Sequence, residues 1–232
     1  MKQTNVYPYH ILLPNGRAVQ RICDVIVPAP ITSFVGGGGK TSSMLALGTE
    51  LAEQGIRVIL TTTTRILPFH QPLAEHLSCI GVLAENGKLK SVADPDGLKQ
   101  QCDILLIEAD GSRGLPFKAP AAHEPVITAG TGLVIAVLGL TGIGKPIAEV
   151  CHRPKQVCSV LKSRPNDPMT PEKAAALLMS SDGLYKQAEH RRFAVILNQA
   201  DGEAEQEAGE RIAALLPKEI PCVMTAYRRE RL

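Results

Sequence analysis

Residues 31–43 read ITSFVGGGGKTSS. The apolar run before the glycines predicts a β-strand, and the apolar spacing from Lys40 to Gln54 predicts an α-helix. Consecutive glycines let backbone N–H groups turn inward and line an anion site, while the positive end of the helix dipole stands behind them. The pattern therefore predicts a strand–loop–helix unit that binds the phosphates of a nucleotide.

Each part of this loop has an expected contact. Lys40 would reach the terminal phosphates, and the Thr41 hydroxyl would ligate Mg²⁺. The usual pattern G-x-x-x-x-G-K-[ST] requires a glycine where this chain has Phe34, which leaves the shorter G-x-x-G-K-T. A flexible glycine turn followed by a helix-capping threonine is the alternative interpretation. The residues expected to contact the phosphates are Gly36, Gly37, Gly38, Gly39, Lys40, Thr41 and Ser42.

Composition favours a single sizeable α/β domain. The chain has 232 residues, of which 44% are hydrophobic and 21% charged, as is ordinary for a globular protein with a real core. Strand and helix patterns alternate, which predicts a mostly parallel sheet covered by helices on both faces, of the P-loop NTPase kind. We divide the chain into a β-hairpin extension over residues 1–30 and a nucleotide-binding domain over residues 31–232.

Several function classes are disfavoured. The net charge is only +2, aromatic residues make up 3% and there is no tryptophan, so we expect no nucleic-acid partner. No apolar run is long enough to span a bilayer and no signal peptide opens the chain, so we expect no membrane association and a cytoplasmic location. The six cysteines form no C-x-x-C pair, which indicates free thiols in a reducing compartment.

Polar residues follow two further predicted strands. Thr61–Thr64 come directly after the strand Val58–Leu60, and Thr63 is our candidate for a contact with magnesium or the γ-phosphate. Glu108 follows the apolar run Ile104–Ile107, the usual place for the acid that manages Mg²⁺ in a phosphate-loop enzyme. We expect Asp110 to assist Glu108.

The E-x-x-G pattern ends at Gly111, whose backbone N–H could meet a γ-phosphate. The alternative for these residues is an acidic strand end that caps the next helix. Arg113 and Lys118 follow in a proline-rich basic loop, where phosphate or substrate contact competes with simple surface exposure. His123 is a candidate ligand or base, although a lone histidine is usually neither.

A second motif follows a later strand. Asn198-x-x-Asp201 resembles the guanine-reading N-K-x-D of GTPases, in which the aspartate accepts hydrogen bonds from guanine N1–H and N2–H₂. Gln199 replaces the lysine that packs along the base. A helix-capping turn is the alternative interpretation. These two residues are our candidates for base recognition.

The remaining elements follow from periodicity and turn signals. Asn15-Gly16 predicts a hairpin turn within Tyr9–Ile22, and Asn86-Gly87 predicts another between short apolar runs. Thr170-Pro171 predicts the start of a helix. Further predicted strands are Cys23–Val27, Leu133–Leu138, Phe193–Leu197 and Cys222–Thr225, and further predicted helices are Leu73–Cys79, Pro154–Leu161, Pro171–Ser180 and Glu203–Leu216.

Five segments resemble one known family. VGGGGKTSS, VILTTTTRI, DILLIEADGSRGLPFKAPAAHEPVI, VIAVLGLTGIGKP and VILNQAD are similar to segments of the selenium-dependent molybdenum hydroxylase accessory proteins, an NTP-binding group. The similarity runs from about Ile31 to Asp201. The glutamate form of E-x-x-G is also similar to that of GTPases that assist metallocentre assembly. The resemblance implies an accessory factor that matures a molybdenum-containing hydroxylase, with selenium insertion as a further implication.

The combined hypothesis is a Mg²⁺-dependent factor that binds GTP or ATP and hydrolyses it slowly, with the client hydroxylase or its maturation machinery as protein partner. One rival is a non-hydrolysing module that holds a nucleotide or dinucleotide as a switch. The other is a small-molecule kinase or ligase in which Arg113, Lys118 and His123 hold an acidic acceptor. A homodimer is left open.

Overall fold

The computed structural model describes residues 10–66, 68 and 73–226 of the chain. The helices are α1 (Lys40–Ala52), α2 (Ile147–Val150), α3 (Pro154–Leu161), α4 (Pro171–Met179) and α5 (Glu203–Ala214), with short 3₁₀ helices at Ile22–Asp24, Asp96–Gln101 and Leu140–Gly142. In chain order the strands are β1 (His10–Leu12), β2 (Ile31–Gly36), β3 (Val58–Thr62), β4 (Arg65–Ile66), β5 (Leu77–Cys79), β6 (Val82–Leu83), β7 (Leu89–Lys90), β8 (Ile104–Glu108), β9 (Phe117–Lys118), β10 (Leu133–Gly139), β11 (Cys151–His152), β12 (Arg192–Asn198) and β13 (Cys222–Ala226).

Eight strands form one sheet in the order β5-β3-β8-β2-β10-β12-β13-β1. All neighbours pair in parallel except β1, which is antiparallel to β13. Every residue of β2 and β10 is buried, which explains why neither strand alternates apolar and polar residues; β10 has no polar side chain, whereas β2 also buries Thr32 and Ser33. The predicted mixed α/β architecture with a large, mostly parallel sheet is confirmed.

Helices pack on both faces of this sheet. Alternate residues of β10 belong to different core clusters: Val134 packs with residues of α3, α4 and α5, whereas Ile135 packs with residues of α1. Burial of these apolar side chains stabilises each layer by about 25 cal/mol per Å² removed from water. The sheet is therefore the middle layer of three, and its carboxyl edge is where the loops after β2, β3, β8 and β12 meet.

The first thirty residues only partly match their prediction. The turn at Asn15-Gly16 forms, because Leu13 N donates to Arg17 O at 2.8 Å. Its return segment is reduced to a single bridge between Leu12 and Ala18, and β1 instead extends the main sheet. Tyr9 and residues 1–8 lie outside the described residues.

Two predicted elements are wrong. Cys23–Val27 is not a strand, because Ile22–Asp24 forms a 3₁₀ turn there. Leu73–Cys79 is not a helix, because its last residues form β5. In the second case pairing with β3, which places Val58 opposite Leu77, outweighs the helical pattern of a short segment.

The other predicted elements are confirmed within a few residues at their ends. The turn at Asn86-Gly87 joins the antiparallel pair β6–β7. Thr170 caps α4 by accepting a hydrogen bond from Lys173 N, and Gly55 follows α1 with a φ of 79°. The predicted basic tail after Ala226 lies outside the described residues. Within residues 10–66, 68 and 73–226, no helix has the length and apolar character needed to cross a membrane.

A buried carboxylate attaches the amino-terminal segment to α1. Glu50 is 1% exposed and accepts hydrogen bonds from the backbone N–H groups of Ile22 at 3.0 Å and Cys23 at 3.1 Å. These amides begin the 3₁₀ turn and have no acceptor within it. Burial raises the pKa of the Glu50 carboxyl above its ordinary value. Glu50 therefore acts as the cap of a turn 28 residues away.

We expect Glu50→Ala to lower the free energy of unfolding by about 2 to 4 kcal/mol, because it leaves two backbone donors without their acceptor. Urea unfolding followed by circular dichroism measures the change. The control is Glu207→Ala on the exposed face of α5, which we expect to change stability by less than about 0.5 kcal/mol. Equal stabilities of the two variants would contradict the capping role.

Candidate functional site

The glycine loop between β2 and α1 is packed tightly against the neighbouring strand ends. Gly36 has a φ of 100° and Gly39 a φ of 124°, a region that L-residues with side chains rarely adopt. A Cβ on Gly36 would collide with the carbonyl oxygen of Val137, and one on Gly39 would collide with the side-chain amide of Asn198. The glycines are thus required by the fold of the loop itself.

Three loop amides already donate within the protein. Gly36 N donates to Asp110 Oδ2 at 3.0 Å, Gly37 N to the carbonyl of Val137 at 2.9 Å, and Gly38 N to the carbonyl of Leu115 at 3.0 Å. In this structure, therefore, the expected cradle of glycine amides does not face an open anion site at these three positions.

The donors that remain lie at the start of α1. Ser43 N is the first amide to bond back into the helix, donating to Gly39 O at 2.9 Å. The amides of Gly39, Lys40, Thr41 and Ser42 have no acceptor within the helix, as at every helix start. An anion held here would meet these amides and the positive end of the helix dipole.

Lys40 folds back onto its own loop. Its ammonium donates to the carbonyl of Gly36 at 2.6 Å and lies 3.2 Å from Asp110 Oδ1 and 3.9 Å from Glu108 Oε1. The residue is only 4% exposed. An ammonium has three N–H donors, so a phosphate that contacts Lys40 uses the remaining donor or replaces the carbonyl of Gly36.

Thr41 and Glu108 meet directly. The Thr41 hydroxyl donates to Glu108 Oε2 at 2.6 Å, although the residues are 67 positions apart. The contact arises because β2 and β8 are parallel neighbours that pair Phe34 with Glu108. Burial raises the pKa of the Glu108 carboxyl, an effect that Lys40 and the Thr41 hydrogen bond only partly offset. A further cation beside Glu108 would favour its charged form.

Asp110 connects this cluster to a second set of charges. Lys118 Nζ lies 3.1 Å from Asp110 Oδ2, donates to Glu124 Oε2 at 2.7 Å and is fully buried. Arg153 pairs with both oxygens of Glu124, at 2.5 and 3.1 Å. Alternating charges therefore run from the glycine loop to the start of α3. We call this set the buried charge chain; its members are Lys40, Glu108, Asp110, Lys118, Glu124 and Arg153.

Glu124 stays ionised within this chain. Burial opposes its ionisation, but hydrogen bonds from Arg153 and Lys118 outweigh that effect and hold its pKa at about 2. The sequence predicts that Lys118 contacts a ligand. In the structure its ammonium lies against Asp110, Glu124 and the carbonyl of Gly111 and does not face open space.

The other candidates on this side line one cleft. Thr63, Gly111 and Arg113 border it together with His123. The Thr63 hydroxyl donates to the carbonyl of Val126 at 2.8 Å, so in this structure it serves the protein's own packing. Arg113 is exposed. The cleft adjoins Gly111, three residues after Glu108, and so lies beside the predicted position of a terminal phosphate.

Asn198 ties the loop to the last strand. Its Nδ2 donates to the carbonyl of Gly38 at 2.7 Å, its Oδ1 accepts from the Thr225 hydroxyl at 2.9 Å, and the residue is 3% exposed. Both ends of the side chain thus contact the protein. Asp201 is exposed two residues beyond Gln199, whose amide oxygen accepts from Thr141. Base recognition by Asn198 and Asp201 stays a prediction, with Asp201 the more accessible partner.

Sequence reasoning missed Glu124 and Arg153. They are 29 residues apart and meet because β9 pairs with β11, which places Lys118 beside His152. No sequence spacing predicts a contact between Glu124, which precedes a proline, and Arg153, which precedes α3. The only signal was the density of charge in the segment from Glu108 to Glu124.

Comparisons with known proteins bear on these same residues. A family model described as YqeC protein matches residues 32–155. Over 179 residues the chain is 35% identical to the protein named "Uncharacterized protein YqeC" of Escherichia coli (strain K12), which covers 67% of this chain and 70% of that protein. The chain belongs to the YqeC family. The matched segment contains the glycine loop and every member of the buried charge chain, whereas Asn198 and Asp201 lie outside it.

The depressed pKa of Glu124 predicts a specific acid sensitivity. Its folded-state pKa of about 2 lies below the ordinary value of 4.5, so the charged pair stabilises the fold above about pH 4.5 and this contribution is lost as the pH falls. Glu124→Gln lacks the titrating group. We expect the wild-type advantage in unfolding free energy over this variant to shrink by about 2 kcal/mol between pH 7 and pH 3.

Urea unfolding at several pH values measures this difference. The matched control is Glu149→Gln at an exposed position of α2, whose stability difference from the wild type should change little with pH. A constant gap between the wild type and Glu124→Gln would show that Glu124 is not held by these cations.

Proposed function

We propose that this chain binds GTP or ATP with Mg²⁺ at the start of α1, hydrolyses it slowly, and acts as an accessory factor in maturing a molybdenum-containing hydroxylase. The proposal treats the domain as a P-loop NTPase with a shortened loop. It extends to selenium only through the resemblance of the five sequence segments to selenium-dependent hydroxylase accessory proteins. The protein partner is the client enzyme or its maturation machinery, in the cytoplasm.

One observation carries the nucleotide part of the proposal. The Thr41 hydroxyl and the Glu108 carboxylate meet at 2.6 Å at the carboxyl edge of a parallel sheet, where such folds place ligands. A merely structural threonine would cap the helix, but the N-cap position is Gly39 and Thr41 donates away from the helix to β8. Lys40 and the unpaired amides of the first turn stand beside this pair.

The residues present also fit Mg²⁺. This ion prefers oxygen ligands such as hydroxyl and carboxylate groups. Thr41 Oγ1 and Glu108 Oε2 supply both, and Asp110 Oδ1 is buried with no hydrogen-bond donor among the described residues, although Lys40 is near it. Thr41 and Glu108 would hold the ion, with Asp110 behind them. When bound, the ion supplies positive charge that neutralises the phosphate oxygens.

The chain's own contribution would be positioning and charge. The first-turn amides of α1 would orient the phosphates, and Lys40 would lie over the oxygens on which charge develops. The buried charge chain keeps Asp110 and Lys118 in place behind these groups. Slow hydrolysis agrees with a site in which the Lys40 ammonium is already engaged by the carbonyl of Gly36 and by Asp110.

Titration calorimetry with GTP, ATP and NAD, each with and without Mg²⁺, tests the proposal. We expect GTP or ATP to bind with Mg²⁺ and to lose at least about tenfold in affinity without it, because Thr41 and Glu108 would hold the ion and its charge would offset that of the phosphates. Thr41→Val keeps the shape of the side chain and should lose a similar factor in the presence of Mg²⁺. Lys218→Ala, at an exposed position, is the matched control and should bind like the wild type.

The outcomes separate the parts of the proposal. Absence of binding by both triphosphates at high micromolar concentration would refute it. Equal binding of ATP and GTP would remove the guanine assignment at Asp201 and leave the phosphate assignment intact. Tighter binding of NAD than of either triphosphate would favour the dinucleotide-switch alternative.

A further inference from the structure

A large cleft opens beside Gly111, at the carboxyl ends of β3 and β8. Its volume is ≈ 1030 Å³, and it is bordered on one side by Thr63 and Thr64 and on another by the start of α3. Pockets of about 300–1,000 Å³ hold small molecules in proteins, so this cleft has room for one. Its charged lining residues are Arg65, Lys90, Arg113, Glu124 and Arg153.

The charges that line the cleft are not balanced by the protein. Four cationic side chains face one carboxylate, Glu124, which is already engaged by Lys118 and Arg153. Within residues 10–66, 68 and 73–226, no carboxylate forms an ion pair with Arg65, Lys90 or Arg113. A concave site with one sign of charge concentrates ligands of the opposite sign.

Three of these cations are placed at a cost to the fold. β4 and β7 are antiparallel and place Arg65 directly opposite Lys90, an arrangement of like charges that destabilises a strand pair. The backbone of Arg113 has a φ of 54°, which is uncommon for a residue with a side chain. Unfavourable arrangements of this kind concentrate at ligand sites, where a bound group compensates them.

Sheet order places this cleft away from the predicted base site. β3 and β8 lie on one side of the glycine loop strand β2, whereas β12, which carries Asn198, lies on the other side beyond β10. A nucleotide that extends from the start of α1 toward Asp201 would leave the cleft open beyond its terminal phosphate. The cleft is therefore available to a second ligand.

We propose that this cleft binds a second, small-molecule substrate through a phosphate or carboxylate group, with Arg65, Lys90 and Arg113 as its anion contacts. The position of this substrate beside a terminal phosphate rests on the proposed function, whereas the presence of an anion site in the cleft does not. Among residues 10–66, 68 and 73–226, the cleft lining offers no Phe, Tyr or Trp ring on which the bases of a single-stranded nucleic acid could stack.

Calorimetry without GTP or ATP tests the anion site, using the full chain and four probes. The probes are 3-phosphoglycerate, citrate, a single-stranded oligonucleotide and, as a neutral control, glycerol. We expect the wild type to bind at least one of the two small anions and not glycerol. The double variant Arg65→Ala/Arg113→Ala should bind that anion at least about tenfold more weakly, because two charge-assisted contacts are lost.

Matched variants separate loss of charge from loss of structure. Arg65→Lys/Arg113→Lys keeps both charges and should retain more of the affinity than the double alanine variant. Arg164→Ala removes an exposed arginine that does not line the cleft and should bind like the wild type. Because 3-phosphoglycerate carries a phosphate and a carboxylate whereas citrate carries carboxylates alone, preference for 3-phosphoglycerate indicates a phosphate contact, and equal or tighter binding of citrate shows that carboxylates suffice.

Three results would overturn the proposal. These are no binding of either anion, equal binding by the wild type and the double alanine variant, and tighter binding of a single-stranded oligonucleotide than of both anions. Because no GTP or ATP is present, these results are independent of the GTP and ATP titrations. Failure of the anion site and failure of nucleotide binding are therefore distinguishable.

Discussion

The ion pair between Asp110 and Lys118 is the contact on which the candidate site depends. Asp110 is 1% exposed, Lys118 is fully buried, and their charged atoms lie 3.1 Å apart. Removing one partner of a buried pair leaves an uncompensated charge and typically costs about 3–5 kcal/mol. Asp110 in turn accepts a hydrogen bond from the amide of Gly36, and Lys118 donates one to Glu124. Through this pair the glycine loop is fixed relative to β8 and the start of α3.

The ion pair with Lys118 holds Asp110 where it accepts a hydrogen bond from Gly36 N, and this contact fixes the conformation of the glycine loop. With Gly36, Gly37 and Gly38 donating to protein acceptors, the loop is satisfied without a ligand. In the proposed function, an anion would bind instead at the first turn of α1, where the amides have no helical acceptor, and at Lys40. Thr41 and Glu108, which share a hydrogen bond beside this turn, would supply the oxygen ligands of the Mg²⁺ ion. The geometry thus supports phosphate binding at the helix start rather than within the four glycines.

Local patterns predicted the central sheet well because most of its strands are apolar runs with clear turn signals between them. They failed at Leu73–Cys79, where pairing with a distant strand overrides local preference, and at Cys23–Val27, where Glu50 caps a 3₁₀ turn instead. Lys40, Thr41, Glu108 and Asp110 could be placed together because the carboxyl ends of parallel strands share one edge.

The remainder of the site depends on contacts that no local pattern encodes. For Lys118 the sequence left phosphate or substrate contact and surface exposure open, yet the structure buries it between two acids. Arg65 and Lys90 belong to separate short strands, and only their pairing in the small sheet brings their charges together. Asn198 read as a residue that contacts the base, but its side chain joins Gly38 to Thr225.

A crystal structure of the chain with Mg²⁺ and a non-hydrolysable GTP or ATP analogue would show directly whether the nucleotide binds at the start of α1. We expect phosphate oxygens against the amides of residues 39–42, with the metal ion held by the side chains of Thr41 and Glu108. Lys40 should turn from the carbonyl of Gly36 toward the terminal phosphate. A nucleotide bound elsewhere, with the Thr41–Glu108 contact and Lys40 unchanged, would contradict this assignment of the site.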